Sequence, residues 1–506
     1  MSPARRVVSE ATLDAAGAEG VLLARAGLVL ERVVGGGVFE AEAGPLAAYR
    51  RTVTVSPPRD DGRVDVRQVV EYEVSLPYFG WLFARPVRRH LSALGPTGGS
   101  PWWAPADRLD ARAAVTLATL CAVSAVTGYL GTVLTQTITF AADEFGAGKA
   151  AQGTALAAVR ADVIITVVLV ALADRRGRRR LLLWCAAAGC VLTALSALAP
   201  SLPALAGSQV VARSFVTAAA LLVAIMAAEE MPSGGRAYAV SLLGMSAGLG
   251  AGICVLLLPL ADLGPRGWRL IFAVALVGLP IVASTARRLP ESRRFRAPHA
   301  AVAMAGHGAR FWLLAVSAFL FNVFYAPASQ FQNEYLRSER GFSAGRISLF
   351  TVATGLPGAI GVVVGGRLAE RGRRRVGAGA LVFGVAATVI VYRTSGWPIW
   401  AWSVVGSMIG AATVPALGVY GPELFPTSLR GRANGIIGVL GRFGSVVGLV
   451  AAGALSAGAA GRLGPVMMLL AIGPLALAVL VLTAYPETAH RELEDLNPED
   501  LPPVRR

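Results

Sequence analysis

The sequence predicts an all-α polytopic membrane protein: twelve transmembrane helices in two pseudo-symmetric six-helix bundles, plus a small N-terminal cytoplasmic α+β extension. Hydrophobic residues make up 55% of the 506 residues and charged residues only 15%, whereas soluble domains carry about 25% charged residues. Apolar runs of about twenty residues, long enough to cross a bilayer core of about 30 Å, recur from residue 112 onward. Several short motifs also recur about 195 residues apart, which indicates a duplicated unit.

Apolar runs define twelve predicted membrane helices, which we call span 1 to span 12 in chain order. They cover about 112–140, 152–173, 181–199, 203–228, 237–260, 269–288, 311–334, 346–366, 377–394, 398–420, 433–456 and 465–485. The predicted domains are an N-terminal extension (1–110), a first six-helix bundle (111–289), a central cytoplasmic loop (290–310), a second bundle (311–485) and a cytoplasmic tail (486–506).

The basic residues of the short loops predict the orientation of the chain. Loops after even-numbered spans carry 19 arginine and lysine residues, and loops after odd-numbered spans carry 8. Because basic loops stay in the cytoplasm, both termini are predicted to be cytoplasmic. The expected location is the plasma membrane, with the lipid bilayer as a partner.

The composition argues against several other classes of protein. The formal net charge is +16, but the arginines form short clusters between apolar runs, so we predict no nucleic-acid partner. The four cysteines lie in apolar runs without a CxxC spacing, which predicts neither disulfides nor a metal site. The sequence also contains no Walker-type glycine loop, and we predict no cofactor.

The N-terminal extension has a pattern of its own. Residues 49–77 alternate in polarity and turn at a Pro/Asp/Gly cluster, which predicts a β-hairpin. The next segment, YFGWLFARPVRRHL (78–91), mixes aromatic residues with arginines and suits a membrane interface. We expect a small cytoplasmic module that regulates the protein or docks an unidentified cytoplasmic partner.

Charged and glycine motifs repeat in the same order in the two halves. Asp174 and Gly177, followed by Arg178, correspond to Glu370 and Gly372 in the second half. Glu229 and Arg236 correspond to Glu423 and Arg430, and Glu291 corresponds to Glu487. The separations are 194 to 196 residues. Six helices in each unit would make the two copies parallel, related by an axis along the membrane normal. Two such bundles around a central site have the geometry of alternating access.

Taken together, these motifs resemble the signature segments of the major facilitator superfamily. The segments are LADRRGRRR (172–180), AEEMPSGGR (228–236), PESRRF (290–295), GPELFPTSLRGRANG (421–435) and PETAHREL (486–493). The resemblance covers about residues 110–495 and is closest to the sugar-porter, organic-ion and aromatic-acid branches. It implies a secondary transporter of a small solute, which uses no ATP and is not an enzyme.

The resemblance also implies a role for the loop charges. Asp174 and the loop arginines would join charges at the bases of neighbouring helices and latch one conformation. Glu229 with Arg236, and Glu423 with Arg430, would add equivalent inner latches. Solvated loop charges that contribute little pairing energy are the alternative interpretation.

Glycines recur at helical spacing on two spans. Span 11 carries Gly435, Gly438, Gly441, Gly444 and Gly448, and span 5 carries Gly244, Gly248 and Gly252. Spacings of three and four residues predict faces on which backbones pack closely.

Charges inside the spans identify candidates for a central cavity, because a charge at a helix centre costs about 2.5–3.5 kcal/mol. They are Arg160 and Asp162 in span 2, Arg213 in span 4 and Arg442 in span 11. Since residues two apart do not share a helix face, Arg160 and Asp162 are each expected to need a partner elsewhere. Structural pairing between helices is the alternative role.

Further cavity candidates come from polar residues and from the resemblance. Tyr129 and Gln136 in span 1, and Asn322 and Gln330 in span 7, offer polar side chains. Arg213 resembles the arginine of the family's fourth-helix motif, and Arg442 resembles the helix-11 arginine of the organic-ion branch. Span 1 has TGYL (127–130) where the aromatic-acid branch carries two acids, which leaves Asp162 as the predicted proton carrier and Glu334 as the alternative.

The expected function is a gradient-driven carrier, coupled to protons, of a small organic anion. The excess of arginines over acids inside the spans favours an anion. A sugar-type or multidrug carrier and a nutrient sensor without transport are the alternatives.

Overall fold

A five-stranded antiparallel sheet forms the N-terminal extension in the computed structural model. The structure describes residues 5–74, 76–95, 101, 103–105, 107–232, 235–291, 306–369, 371–458 and 461–488, without the side chains of 174, 228, 236, 237, 422, 427, 428 and 430–432. The strands are β1 (Arg5–Leu13), β2 (Leu30–Gly35), β3 (Val38–Ala43), β4 (Leu46–Val55) and β5 (Val64–Val74), in the spatial order β1-β5-β4-β3-β2. Helix α1 (Ala15–Val21) follows β1, and helix α2 (Gly80–Leu91) follows β5.

The predicted hairpin is confirmed as the antiparallel pair of β4 and β5. Every second residue of β5 points inward, from Val64 to Val74, as expected of a strand with one covered face. Val87 and Leu91 of α2 pack against this face. Strands β1 to β3 were not predicted, although the GGG run at 35–37, where Gly36 has a φ of 58°, is a hairpin signal.

A buried charge network fixes the sheet to the segment after α1. The Arg51–Glu31 ion pair is 2.5 Å long, and both side chains are fully buried. Tyr49 donates its hydroxyl hydrogen to Glu31 Oε1 at 2.5 Å, and the backbone N–H of Arg25 donates to Glu31 Oε2 at 2.8 Å. Burial and the neighbouring Arg51 lower the pKa of Arg25, whereas burial and Glu31 raise the pKa of Tyr49.

Twelve helices are long and apolar enough to cross a membrane in the described part of the chain. They are span 1 (Ala111–Phe145), span 2 (Lys149–Ala173), span 3 (Arg178–Leu198), span 4 (Leu202–Ala227), span 5 (Tyr238–Leu263), span 6 (Trp268–Ala286), span 7 (Gly308–Glu339), span 8 (Ala344–Ala369), span 9 (Arg373–Val391), span 10 (Trp397–Leu417), span 11 (Ala433–Gly458) and span 12 (Leu463–Ala484). The predicted multi-pass fold is confirmed. Span 1 is longer than predicted, because its helix continues through polar residues to Phe145.

The two halves repeat the same helix contacts. Span 1 packs on span 5 as span 7 packs on span 11, and span 3 packs on spans 4 and 6 as span 9 packs on spans 10 and 12. We call the end with the start of span 1 and the loops after even-numbered spans the basic end, and the opposite end the far end. Large exposed apolar side chains, such as Ile164, Leu356 and Val479, cover the outside of the bundles, as expected of surfaces that face lipid.

The predicted glycine faces are only partly correct. On span 11, a Cβ at Gly444 would lie 2.5 Å from the carbonyl oxygen of Phe319 in span 7, and Gly448 is similarly close to Val323. On span 5 the prediction is wrong, because a Cβ at the predicted positions would meet no heavy atom within 4 Å. Those positions are Gly244, Gly248 and Gly252.

Gly250 makes the close contact of span 5 instead. A Cβ there would overlap the carbonyl oxygen of Ala125 in span 1. Two residues beyond Gly248, it points to nearly the opposite side of the helix. The sequence periodicity therefore identified a row of small residues but not the face that meets span 1.

The extension is attached to the basic end of the first half. Tyr238 at the start of span 5 donates its hydroxyl hydrogen to the Trp103 carbonyl at 3.1 Å. Just before span 1, Arg108 Nε donates to the Gly27 carbonyl at 2.9 Å, which holds the connecting segment against the extension. Tyr78 Oη lies 3.4 Å from Thr285 Oγ1 in span 6. The sheet therefore sits on one half of the bundle through several polar contacts.

We expect Glu31→Gln to destabilise the extension by about 3–5 kcal/mol, because it leaves buried arginines without their carboxylate. Faster hydrogen exchange of the β2 and β4 amides in the full-length protein would show this. Asp65→Asn is the control, since it removes an exposed ion pair with Arg59 and should leave exchange nearly unchanged. Equal exchange in wild type and Glu31→Gln would contradict the prediction.

Candidate functional site

Four charged residues from both halves meet near the middle of their spans. Asp162 Oδ1 lies 3.7 Å from Arg442 Nη1. Arg160 and Arg213 are close enough for their charges to interact with Asp162 and with Arg442. This set, which we call the central cluster, contains three guanidinium groups and one carboxylate and therefore has two positive charges in excess.

A break in span 2 positions Arg160 and Asp162. The α-helical segments Lys149–Ala158 and Asp162–Arg176 are joined by a 3₁₀ turn at Val159–Ala161. Such turns inside a helix often mark functional or strained sites. The charge of Arg160 interacts with that of Asp162 across this turn, and Asp162 also pairs with Arg442 of span 11.

Span 4 fixes the position of Asp162. Thr217 Oγ1 donates a hydrogen bond to Asp162 Oδ2 at 2.9 Å. Ser214 Oγ donates to the Asp162 carbonyl oxygen at 3.1 Å. The Asp162 side chain is 7% exposed, whereas that of Arg442 is 33% exposed. A solute between the halves can therefore reach the Arg442 guanidinium more easily than the Asp162 carboxylate.

Arg213 anchors the cluster to span 1. Its Nη1 donates to the Gly131 carbonyl oxygen at 2.8 Å, and this bond uses one of its five N–H donors. Arg442 comes from the second half, whereas Arg160, Asp162 and Arg213 come from the first. The Asp162–Arg442 pair is therefore a polar link between the halves at mid-height.

The other predicted cavity residues do not join the central cluster through described contacts. Tyr129 is 8% exposed and donates its hydroxyl hydrogen to the Ile271 carbonyl oxygen at 2.5 Å. Asn322 donates to the Ala318 carbonyl oxygen at 2.9 Å and accepts from Ser445 Oγ at 3.1 Å. Gln330 is 8% exposed. Tyr129 and Asn322 thus make structural bonds between or within helices.

The far end is closed by polar contacts between the halves. Asn333 Nδ2 donates to Gln136 Oε1, and Gln152 Nε2 donates to Glu334 Oε2, both at 2.9 Å. Gln152 and Glu334 are both buried. We call these contacts between the halves the far-end gate, and Gln136 is the predicted cavity residue that belongs to it.

Ion pairs strengthen this far-end gate. Lys149 Nζ lies 2.8 Å from Glu339 Oε1, and Arg337 Nε lies 2.5 Å from Asp143 Oδ2. Asp262 at the end of span 5 accepts hydrogen bonds from the backbone N–H groups of Ala344 and Gly345 at 2.9 and 2.8 Å. A carboxylate at a helix N-terminus is favoured by the helix dipole.

The sequence interpretation missed these gate residues. They lie in loops and helix ends, where a charge needs no special explanation, and each partner is more than 80 residues away in the chain. One available signal was Lys149, the single lysine in the sequence.

Glycines bring spans 2 and 11 together at the far end. A Cβ at Gly153 would lie 2.5 Å from the carbonyl oxygen of Leu449 and 3.2 Å from Gly453 Cα. A Cβ at Gly453 would lie 2.9 Å from the carbonyl oxygen of Lys149. The two backbones therefore touch where only a hydrogen side chain fits.

At the basic end, the described bonds of the loop motifs stay within each half and repeat between them. Arg178 pairs with Glu229 in the first half, and Arg373 pairs with Glu423 in the second. The carboxylate of Glu291 accepts from the backbone N–H of Arg179 at 2.9 Å.

Glu487 occupies the equivalent place in the second half, where its carboxylate accepts from the backbone N–H of Arg373 at 3.0 Å. Both glycines of the repeated loops lie beside these carboxylates. A Cβ at Gly177 would lie 3.0 Å from Glu291 Oε2, and one at Gly372 would lie 3.8 Å from Glu487 Oε2. Gly177 has a φ of 98°, a conformation that favours glycine.

Some predicted motif residues lie outside the part of the chain that the structure describes. Glu370 is not described, and neither are the side chains of Asp174, Arg236 and Arg430. The inner latches expected from Glu229 with Arg236 and from Glu423 with Arg430 are therefore not tested. The structure adds Arg178 and Arg373 as partners of the two glutamates.

The four cysteines are buried and have free thiols. In the part of the chain that the structure describes, His, Cys, Asp and Glu side chains form no group of three that could hold a metal ion.

Comparisons with known proteins identify the same fold. The model of the Major Facilitator Superfamily matches residues 116–343 and 311–504. No curated protein matches the chain. The D-xylose-proton symporter is 18% identical, covers 74% of this chain and 98% of its own, and has a TM-score of 0.62.

Two further solved structures are similar to this chain. A bacterial homolog of the human lysosomal transporter Spinster, in an inward-facing and unoccupied conformation, is 17% identical over 73% of this chain and 95% of its own, with a TM-score of 0.59. The nucleoside transporter NupG is 12% identical over 73% of this chain and 100% of its own, also with a TM-score of 0.59.

We expect Gly153→Leu to hold the far end open, because the larger side chain cannot fit against the backbone of span 11. A cysteine introduced at position 330, where the native glutamine is 8% exposed, should then react at least tenfold faster with a maleimide supplied at the far end.

Gly438→Leu is the matched control, because a Cβ at this span 11 position would meet no heavy atom within 4 Å. It should leave the labelling rate at position 330 within about twofold of the parent. Equal labelling rates in Gly153→Leu and Gly438→Leu would show that the close contact between spans 2 and 11 does not control the far-end gate.

Proposed function

Because the chain belongs to the major facilitator superfamily, we propose that it is a secondary active transporter that moves a small organic anion across the membrane by alternating access, together with protons. The observation that carries the proposal is the central cluster, in which the Asp162 carboxylate pairs with Arg442 and interacts electrostatically with Arg160 and Arg213. Buried charge of one sign is costly in a membrane unless a partner or water compensates it. An anionic solute would supply that compensation.

An anion at the central cluster would join the halves. Its negative group would contact Arg442 from the second half and Arg160 or Arg213 from the first. Guanidinium groups suit this role, because they bind carboxylate or phosphate through two parallel hydrogen bonds. The same contacts would draw the halves together around the solute, as alternating access requires.

Proton coupling follows from competition for Arg442. At 3.7 Å, the ion pair between Asp162 and Arg442 is long, and an incoming anion would compete with Asp162 for the guanidinium. When Asp162 takes up a proton, its charge is removed and the anion replaces that charge, so the net charge of the cluster is unchanged. Proton and anion would therefore bind together, which is the requirement for symport.

Glu334 is the alternative proton carrier. Its carboxylate accepts hydrogen bonds from Gln152 at 2.9 Å and from Ser338 Oγ at 2.7 Å. These donors are uncharged, and the site lies in the far-end gate instead of beside the arginines. A proton bound there would couple to opening of the gate, without direct competition with the solute.

We place the basic end in the cytoplasm of a cell with this protein in its plasma membrane. The excess of basic residues in the loops after even-numbered spans supports this orientation. The closed far end would then correspond to an inward-facing state. Maleimide added outside intact cells should label cysteines beside Gly148 but not cysteines beside Gly372, and the reverse pattern would overturn the orientation.

The loop charges at the basic end would form the latch of the opposite state. We propose that Asp174 and the equivalent pairs Arg178–Glu229 and Arg373–Glu423 hold the basic end closed once the far end opens. Asp174→Asn should then shift labelling at position 330 toward the slow rate of the closed far end. If Asp174→Asn leaves the labelling rate at position 330 unchanged, Asp174 contributes to membrane topology and not to a latch.

Two other functions compete with anion transport. A sugar-type or multidrug carrier would use the same fold, and one structural neighbour is named as a D-xylose-proton symporter. A nutrient sensor would bind its solute without moving it and would signal through residues 1–110. Uptake into proteoliposomes distinguishes a carrier from a sensor, since only a carrier gives solute flux under an imposed gradient.

We expect organic anions, in a thermal-shift panel of organic acids, sugars and organic cations, to stabilise the protein. Arg442→Gln should weaken the binding of the best anion by about 10- to 100-fold, because a charged hydrogen bond contributes about 1.5–3 kcal/mol. Isothermal titration would measure the loss. Arg393→Gln, which changes an exposed arginine beyond span 9, is the matched control.

If sugars stabilise the protein in this panel and organic anions do not, the cargo is a neutral solute and not an anion. Anion binding that is equally strong in Arg442→Gln and wild type would remove the central cluster from the site.

We expect Asp162→Asn to abolish accumulation driven by a proton gradient while anion exchange across equal concentrations continues. The asparagine cannot carry the proton, but it leaves the arginines free to bind the anion. Proteoliposomes containing labelled anion would measure both activities. In this variant, anion affinity should also lose its dependence on pH.

Glu334→Gln is the comparison variant and should keep proton-driven accumulation. If instead it loses accumulation and Asp162→Asn retains it, the proton carrier is Glu334. If both variants concentrate the anion as wild type does, the proton travels with the solute itself.

A further inference from the structure

One face of helix α2 is left uncovered by the extension and by the bundle. Val87 and Leu91 are 3% and 2% exposed and pack into the sheet. Trp81 and Leu82 in the first turn are 74% and 54% exposed.

Three arginines, Arg85, Arg88 and Arg89, are exposed on the rest of the helix. Residues 81, 82, 85, 88 and 89 fall on a single face about 120° wide, given about 100° per residue. The uncovered face therefore combines a large aromatic residue, a leucine and a row of positive charges.

The start of α2 lies beside the basic end of span 6. Tyr78, two residues before the helix, places its hydroxyl oxygen 3.5 Å from the Ile281 carbonyl oxygen. The Arg288 guanidinium lies 5.4 Å from the centre of the Tyr78 ring. The first turn of α2 is thus close to the point where span 6 ends.

Span 6 presents apolar side chains outward, since Val277 is 63% exposed and Leu276 is 46% exposed. These residues belong to a membrane helix and face the hydrocarbon. Because α2 starts at the end of this span, its first turn lies near the level at which the span leaves the hydrocarbon. Arg287 and Arg288, both exposed at the end of span 6, add positive charge at the same level.

We propose that α2 lies on the bilayer surface and binds anionic phospholipid headgroups. Trp81 and Leu82 would enter the boundary between headgroups and acyl chains, where tryptophan is enriched. Arg85, Arg88 and Arg89 would contact the phosphates, as basic faces of interfacial helices do. This contact fixes the extension to the lipid as well as to the first half of the bundle.

The experiment uses the full-length protein in nanodiscs of phosphatidylcholine, with or without phosphatidylglycerol. An environment-sensitive fluorophore is attached to a cysteine at position 82, because the four native cysteines are buried. Phospholipids with brominated acyl chains should quench this fluorophore, and phosphatidylglycerol should increase the quenching at least twofold. The same fluorophore at position 33, which is 61% exposed on the outer strand β2, should remain unquenched.

Replacement of Arg85, Arg88 and Arg89 by glutamine should remove the increase caused by phosphatidylglycerol. Replacement of Arg59, Arg63 and Arg67 by glutamine is the matched control, because these arginines are exposed on the extension away from α2, and should preserve the increase. Trp81→Ser, which changes no charge, should reduce quenching in both lipid mixtures.

Equal quenching at positions 82 and 33 would overturn the proposal and leave this face of α2 to a protein partner. If phosphatidylglycerol changes the quenching at position 82 in none of the variants, α2 does not bind anionic headgroups. These measurements need no solute and no transport, so they are independent of the proposed carrier function.

Discussion

A charge placed among apolar helices must find a countercharge or water, and this constraint shapes the protein at every level. Arginines are abundant in the loops, where water and lipid headgroups stabilise them. Arg160, Arg213 and Arg442, which lie near the middle of their spans, are close to Asp162. One carboxylate cannot compensate three guanidinium groups, and this excess of positive charge is the basis of the proposal that the cluster binds a negatively charged solute.

The two ends of the bundle use polar contacts differently. At the far end they connect the halves, whereas the described bonds of the loop motifs at the basic end stay within each half. The Arg337–Asp143 pair is 32% and 48% exposed, and pairs of this kind contribute only about 0–1 kcal/mol. A gate held by such contacts can open during transport, since small changes in binding energy at the centre are enough to exchange one set of contacts for another.

Buried charges in the extension also need partners. Its buried arginines are stabilised by Glu31 and by backbone carbonyl oxygens of Val21 and Leu23. Breaking such a network is costly, because removal of one partner leaves the other charge buried. Among the described residues, the polar contacts of the extension outside itself are with the first half, and we propose that α2 lies at the level of the lipid. Any movement of that half would carry the extension with it.

The sequence alone determined the twelve spans, the duplication and the residues that carry intramembrane charge, because length, hydropathy and spacing are local properties. It also located the β4–β5 hairpin through alternation and turn residues. Tertiary structure decided which side chains meet. The pairing of Asp162 with Arg442 and the far-end bonds of Gln152 and Lys149 all join residues distant in sequence. Periodicity identifies a row of glycines or charges, but the rotation of each helix in the packed bundle selects the neighbour that row contacts, as Gly250 shows in place of Gly248.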